Sequence, residues 1–180
     1  MQRFYLPLLL LLLLVLEGVA ADFLPQHLAM GQMMIVPHWT LVFLILITIF
    51  YDVENTYFSV LYALIFGLII DVVYTNILGV YMFTYALAVY GVHGVKKILH
   101  HNFFVALLLT VLGIGFADIA IYAIYLFIGI NQMAGPDYIT IRLLPTIVAN
   151  LIFLFLLYPF LKPKLSDWSE ERFSNKKSGI

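Results

Sequence analysis

Residues 102–130 read NFFVALLLTVLGIGFADIAIYAIYLFIGI, a stretch whose only charged side chain is Asp118. A membrane-spanning helix needs about 20 predominantly apolar residues. This run is long enough to cross a bilayer with residues to spare. It is apolar on every side rather than in alternation, so it reads as a helix and not as a barrel strand. Five comparable runs share the chain, at residues 4–21, 33–51, 56–74, 78–95 and 139–161. The second is short between His38 and Asp52 and needs residues 33–36 to reach spanning length. Hydrophobic residues make up 64% of the 180, and charged residues 11%. A soluble domain has roughly 45–50% and about 25%. Mean hydropathy is +1.04. These values exclude a soluble enzyme, a disordered chain and a nucleic-acid-binding domain. The fold class expected is an all-α polytopic membrane protein with six transmembrane helices. Residues 1–161 form the membrane domain. Residues 162–180 hold eight of the 19 Lys, Arg, Asp and Glu side chains and read as a short solvated tail, with Trp168 and Phe173 at the interface.

Lys and Arg set the orientation. With six spans both termini share a side. That side collects Arg3, Lys96, Lys97, Lys162, Lys164, Arg172, Lys176 and Lys177, and the other has only Arg142. Both termini are therefore expected in the cytoplasm. A rival reading takes the first run as a secretory signal. Arg3, a leucine-rich core and Val19-Ala20-Ala21 have the layout of one. Cleavage would leave five spans in the same orientation.

Charges inside a bilayer are costly, which makes them candidates for a purpose. Glu17, Asp71 and Asp118 fall in the outer half of three helices, and Arg142 lies one turn into the last. The expectation is a buried polar cluster in which Arg142 pairs with Asp71 or Glu17. Asp118 is deeper and is placed to accept from Tyr122, four residues on. The plainer reading has Glu17 and Asp71 snorkelling to the interface. Gly67, Asp71 and Tyr74 share a helix face, and small residues let helices approach closely. Gly79, Gly113 and Gly115, with Ala117, Gly91 and Gly94, are assigned to close packing on the same ground. Pro145 frees a backbone carbonyl in the last helix, and Asn150 is set to hydrogen-bond another helix. Lys96 and Lys97, beside His100 and His101, form with Lys162 and Lys164 a basic surface facing anionic headgroups. His27, His38 and His93 read as flanking or interfacial. There is no cysteine, zinc-site spacing or Gly-rich phosphate loop, and no cofactor is expected. Gly115-Phe116-Ala117 before Asp118 departs from the Gly-x-Gly of intramembrane aspartyl proteases.

Residues 67–83, GLIIDVVYTNILGVYMF, resemble the central signature of the rod shape-determining protein MreD family. Glu17 ending a leucine-rich first helix, Pro37 before the second, and Arg142-Leu143-Leu144-Pro145-Thr146 followed by Asn150 are similar to that family elsewhere. The variant resembles those of rod-shaped Gram-positive bacteria. The resemblance implies a non-enzymatic membrane subunit of the cell-elongation machinery. It would bind the bitopic protein MreC and work alongside MreB, RodA and a class B penicillin-binding transpeptidase. It also implies the six-helix fold of the substrate-binding subunits of energy-coupling-factor transporters. A small-molecule-binding transporter subunit is thus the alternative function. On the first reading, an Asp71–Arg142 cluster fixes the packing that presents the MreC surface. The loop from Lys96 to His101 and the tail would meet MreB or anionic lipid.

Overall fold

The computed structural model describes residues 4–23, 33–53, 55–99 and 102–174, with side chains through 172. Among these the chain forms six helices. They are α1 (Tyr5–Phe23), α2 (Trp39–Phe50), α3 (Phe58–Tyr74), α4 (Val80–Lys96), α5 (Phe103–Phe127) and α6. The last is built from three contiguous pieces: a first turn at Gly135–Asp137, a π-helical stretch at Tyr138–Leu143, and the long run Leu144–Ser174. α1, α5 and α6 are long and apolar enough to cross a membrane, and α2 and α3 are shorter apolar helices.

α2 is the centre of the bundle. Every residue from Thr40 to Phe50 is buried, and the helix touches α1, α3, α4, α5 and α6. Its 12 residues span only about 18 Å at 1.5 Å per residue, against about 30 Å of hydrocarbon. The extended segment 33–38 makes up the difference. Extended backbone is tolerated at membrane depth only where its polar groups are satisfied within the protein. α6 satisfies them. Pro145 has no N–H to give the carbonyl of Ile141, and Met34 N–H donates to that carbonyl instead at 2.9 Å. Thr146 Oγ1 accepts from Val36 N–H at 3.1 Å. Asn150 Nδ2 donates to Val36 O at 2.9 Å, and its Oδ1 accepts from His38 N–H at 2.7 Å. The Pro145-Thr146-Asn150 pattern is therefore a template for a strand-like segment 110 or more residues upstream. The carbonyl freed by Pro145 is used as expected of such a group.

α3 and α4 form the tightest hairpin. A Cβ on Gly67 would stand 2.7 Å from Met82 Cα and 2.8 Å from Tyr81 O, backbone that cannot swing aside. Gly79 begins α4 with φ +98°, a left-handed conformation that side chains disfavour. Gly113 is milder, since its Cβ would meet the flexible tip of Ile45. Gly115 has only Ile147 Cδ1, at 4.0 Å, and Gly91 and Gly94 meet nothing within 4 Å. These three, and Gly79, where an added Cβ would likewise meet nothing within 4 Å, do not mediate close packing within the chain, contrary to the sequence reading. Gly67→Val should lower stability in detergent by ~1–3 kcal/mol, while Gly115→Ala should be neutral. Thermal unfolding followed by circular dichroism would separate them, and equal melting temperatures would refute the close-approach account.

The boundary expected at residue 161 lies inside α6, which continues past Pro159 and Pro163 to Ser174. Leu165 is fully buried, and Trp168 stacks on Tyr5 at 5.8 Å. Ser169 Oγ donates to Tyr51 O at 2.9 Å. The Arg172 guanidinium covers the Phe58 ring at 3.9 Å and bonds the Tyr51 hydroxyl. Apolar residues spaced at helical intervals among the charges bind this end of α6 to the bundle.

Candidate functional site

The buried acids divide into two kinds. Three of them cap helices that are not their own. The first N–H groups of a helix lack intrahelical partners and carry the positive end of its dipole, so a carboxylate there is doubly favoured. Glu17 of α1 accepts from Thr40 N–H, in the first turn of α2, at 2.9 Å. Asp71, near the end of α3, accepts from Gly79, Tyr81 and Met82 N–H at 2.8, 2.9 and 3.1 Å, closing the start of α4. Asp52, beyond α2, accepts from Phe58 and Ser59 N–H at 3.2 and 2.9 Å, and from the Ser59 hydroxyl. Neither Glu17 nor Asp71 snorkels: both are buried.

The other end of α2 has a cation. Lys96 Nζ donates to Thr48 O at 2.5 Å and Asp52 O at 2.7 Å. It is 4% exposed. Lys96 is thus removed from the basic surface assigned to it, because α2 stops early and leaves carbonyls at a depth its side chain can reach. Lys97 and Lys164 are exposed, as a surface role requires. Lys162 is half-buried, with its ammonium 5.7 Å from the Tyr158 ring and 6.0 Å from Phe50.

Asp118 is the second kind. It is fully buried in α5 and is paired rather than capping. Arg142 Nη2 and Nε donate to its Oδ1 at 2.9 and 3.3 Å. The Tyr138 hydroxyl donates to its Oδ2 at 2.7 Å. His38 Nε2 lies 3.5 Å from Oδ1, and His38 Nδ1 is 2.7 Å from the Tyr85 hydroxyl. The His38 ring thereby bridges Asp118 and Tyr85 through its two nitrogens. Three elements thereby meet on one carboxylate: the extended segment, α5 and α6. The π-helical stretch brings both Tyr138 and Arg142 to it from one helix.

The sequence-predicted cluster therefore separates. Arg142 pairs with Asp118 and with neither Asp71 nor Glu17 among the described residues. The Tyr122 hydroxyl donates to Met133 O at 2.8 Å and not to Asp118, whose phenol donor is Tyr138, stacked on the Tyr122 ring at 3.8 Å. Sequence reasoning missed Asp52, His38, Tyr85, Tyr138 and Thr146. Asp52 carries a weak signal, a carboxylate placed just before a run that starts without a cap of its own. His38 carries none, since it reads as a loop residue until α2 is known to begin beside it. His27, His100 and His101 lie outside the described residues. Among the described residues no group of three His, Asp or Glu is placed to hold a metal.

A family model described as rod shape-determining protein MreD matches residues 2–165. The curated relative "Rod shape-determining protein MreD" of Bacillus subtilis (strain 168) is 30% identical over 174 residues, covering 93% of this chain and 99% of that protein. No solved structure matches. The expected likeness to transporter substrate-binding subunits has no structural match behind it.

Proposed function

Since this chain belongs to the MreD family of rod shape-determining membrane proteins, we propose that it acts as a non-enzymatic scaffold in cell elongation, binding MreC and helping to position peptidoglycan synthesis. MreB, RodA and a class B penicillin-binding transpeptidase belong to the same proposed assembly. One observation carries the scaffold reading. The residues that carry the resemblance to the family serve to hold helices to one another: Gly67 and Gly79 shape the α3–α4 hairpin, Asp71 caps α4, and Arg142, Thr146 and Asn150 tie α6 to α5 and to the segment before α2. A polar interior spent on rigidity favours a docking body over a catalyst. The apolar flanks of the helices face lipid, where van der Waals packing can recruit another spanning helix.

The proposed orientation places both termini in the cytoplasm, from the distribution of Lys and Arg. On that reading Lys97, Lys162 and Lys164 lie at the cytoplasmic headgroups. Depletion of the protein in its own host is expected to turn rods into swollen, rounded cells, with shape restored by complementation and MreC co-purifying with the tagged chain. Unaltered cell shape after depletion would overturn the elongation role. Restored shape without MreC recovery would overturn the binding claim alone.

A further inference from the structure

A cavity of about 360 Å³ lies at the end of the bundle where α2 and α4 stop and α6 runs on. Ligand pockets span about 300–1,000 Å³. Its wall has two sides. Ile49 and Phe50 of α2 and Leu99 beyond α4 make an apolar one. Lys96, Lys97, Asp52 and, from α6, Ser166 make a polar one. Three separate parts of the chain therefore converge on one hollow that is half greasy and half charged.

The polar side sets two cationic side chains against one carboxylate. That carboxylate is turned to the start of α3, where it accepts from Phe58 and Ser59 N–H at 3.2 and 2.9 Å and from the Ser59 hydroxyl. The Lys96 ammonium is held in place by Thr48 O at 2.5 Å and Asp52 O at 2.7 Å. Carbonyls orient an ammonium but bring no charge to neutralise it. Lys97 is exposed, and its long stem lets the ammonium swing over the mouth of the cavity. A third cation stands at the rim: Lys162 Nζ is 6.0 Å from the ring of Phe50, itself a wall residue. Lys162 and Lys164 also mark the level at which α6 leaves the apolar run, which is the depth of lipid headgroups.

We propose that this cavity binds the phosphate of an anionic phospholipid. The Lys96 and Lys97 ammonium groups and the Ser166 hydroxyl surround the phosphate, which lysine engages as a point charge. The adjoining glycerol and first methylenes lie against Ile49, Phe50 and Leu99. Free phosphate would leave that apolar wall uncovered, and an uncharged lipid would leave the ammonium groups without an anion. A basic surface draws anionic lipid from a distance and holds it at no fixed place. A cavity holds one lipid, so removing its charge and filling its volume should each weaken binding. Which leaflet supplies the lipid follows from the orientation proposed above, and the site itself does not depend on it.

The test titrates the purified full chain in neutral detergent with phosphatidylglycerol and counts bound lipid by native mass spectrometry. Diacylglycerol with the same acyl chains is the phosphate-free control. Phosphatidylglycerol should bind with saturation, and diacylglycerol should not. Lys97→Gln should weaken binding about fivefold, the effect of one basic residue at a lipid surface. Lys97→Arg should retain the parent's affinity. Ser166→Leu fills the cavity without altering a charge and should weaken binding by a similar factor. Lys164→Gln removes an exposed cation that is outside the cavity and should leave most of the affinity in place. Equal losses in Lys97→Gln and Lys164→Gln would show a diffuse basic surface and overturn the site. Parent-like binding by Ser166→Leu would overturn the cavity as its seat. Equal binding of diacylglycerol would overturn the phosphate as the recognised group. Displacement of the lipid by equimolar inorganic phosphate would make free phosphate the ligand and overturn the lipid. Lys97 is exposed, so its variants should melt with the parent. Should Ser166→Leu fail to fold, the comparison of Lys97→Gln with Lys164→Gln decides alone.

Discussion

Replacing Asp118 by Ala should cost the fold ~3–5 kcal/mol, because it strands a guanidinium in the membrane interior with its partner gone. Asp118 is the common acceptor for Arg142, Tyr138 and His38, so the variant also releases the Tyr138 hydroxyl and frees one side of the His38 ring. The double substitution Asp118→Leu with Arg142→Met should be milder than Asp118→Ala. It removes both charges and fills their volume with apolar groups, and buried ion pairs are frequently no better than such replacements. Thermal stability of the purified protein in detergent, together with its abundance in the host membrane, measures both. A single variant as stable as the parent would show that the pair contributes nothing. A double variant worse than the single would show that Asp118 and Arg142 do not act as a pair.

The second large effect is expected at Asp71. Its carboxylate accepts three backbone N–H groups at the start of α4. Asp71→Asn keeps one acceptor oxygen but turns an amide donor toward N–H groups that are themselves donors. Losing charge-assisted bonds and leaving buried donors unmatched should cost ~2–4 kcal/mol. The α3–α4 hairpin should loosen while the α5–α6 pair stays intact, and recovery of MreC with the tagged chain should fall in step. Because Asp71 and Arg142 serve different helices, combining Asp71→Asn with Arg142→Gln should give nearly additive losses. Strong coupling between them would restore the single-cluster picture that the geometry replaces. Unchanged MreC recovery in the destabilised Asp71→Asn variant would detach the hairpin from partner docking.

Several of these features are legible in the chain. The burial of Asp71 is one, although the reading paired it with Arg142 and overlooked the local contact with Gly79, eight residues on across a tight turn. The freed carbonyl before Pro145 is another, because a proline's missing N–H is a property of one residue. Lys96 shows where such reading fails. A Lys-Lys pair in a loop looks like a surface feature, and only the early end of α2 turns one of the two inward to carbonyls 44 and 48 residues away.

The sequence by itself determined the medium, the helical class and the family. Long runs without charge can satisfy their backbones in lipid only as helices, and that constraint acts on composition alone. It also limited where the polar residues could lie in depth. The tertiary structure decided which of them meet. The run before Asp52 is predominantly apolar, and apolarity does not say that its first third is extended at about 3.3 Å per residue while the rest is helical at about 1.5 Å. That choice depends on Thr146 and Asn150 being available on α6 to receive the extended backbone. It moves His38 from a loop to the middle of the bundle. The selection of Asp118 over Asp71 and Glu17 as the partner of Arg142 has the same origin. All three acids are at suitable depth, and the winner is set by which helix stands beside the π-helical start of α6, a distance that no spacing along the chain encodes.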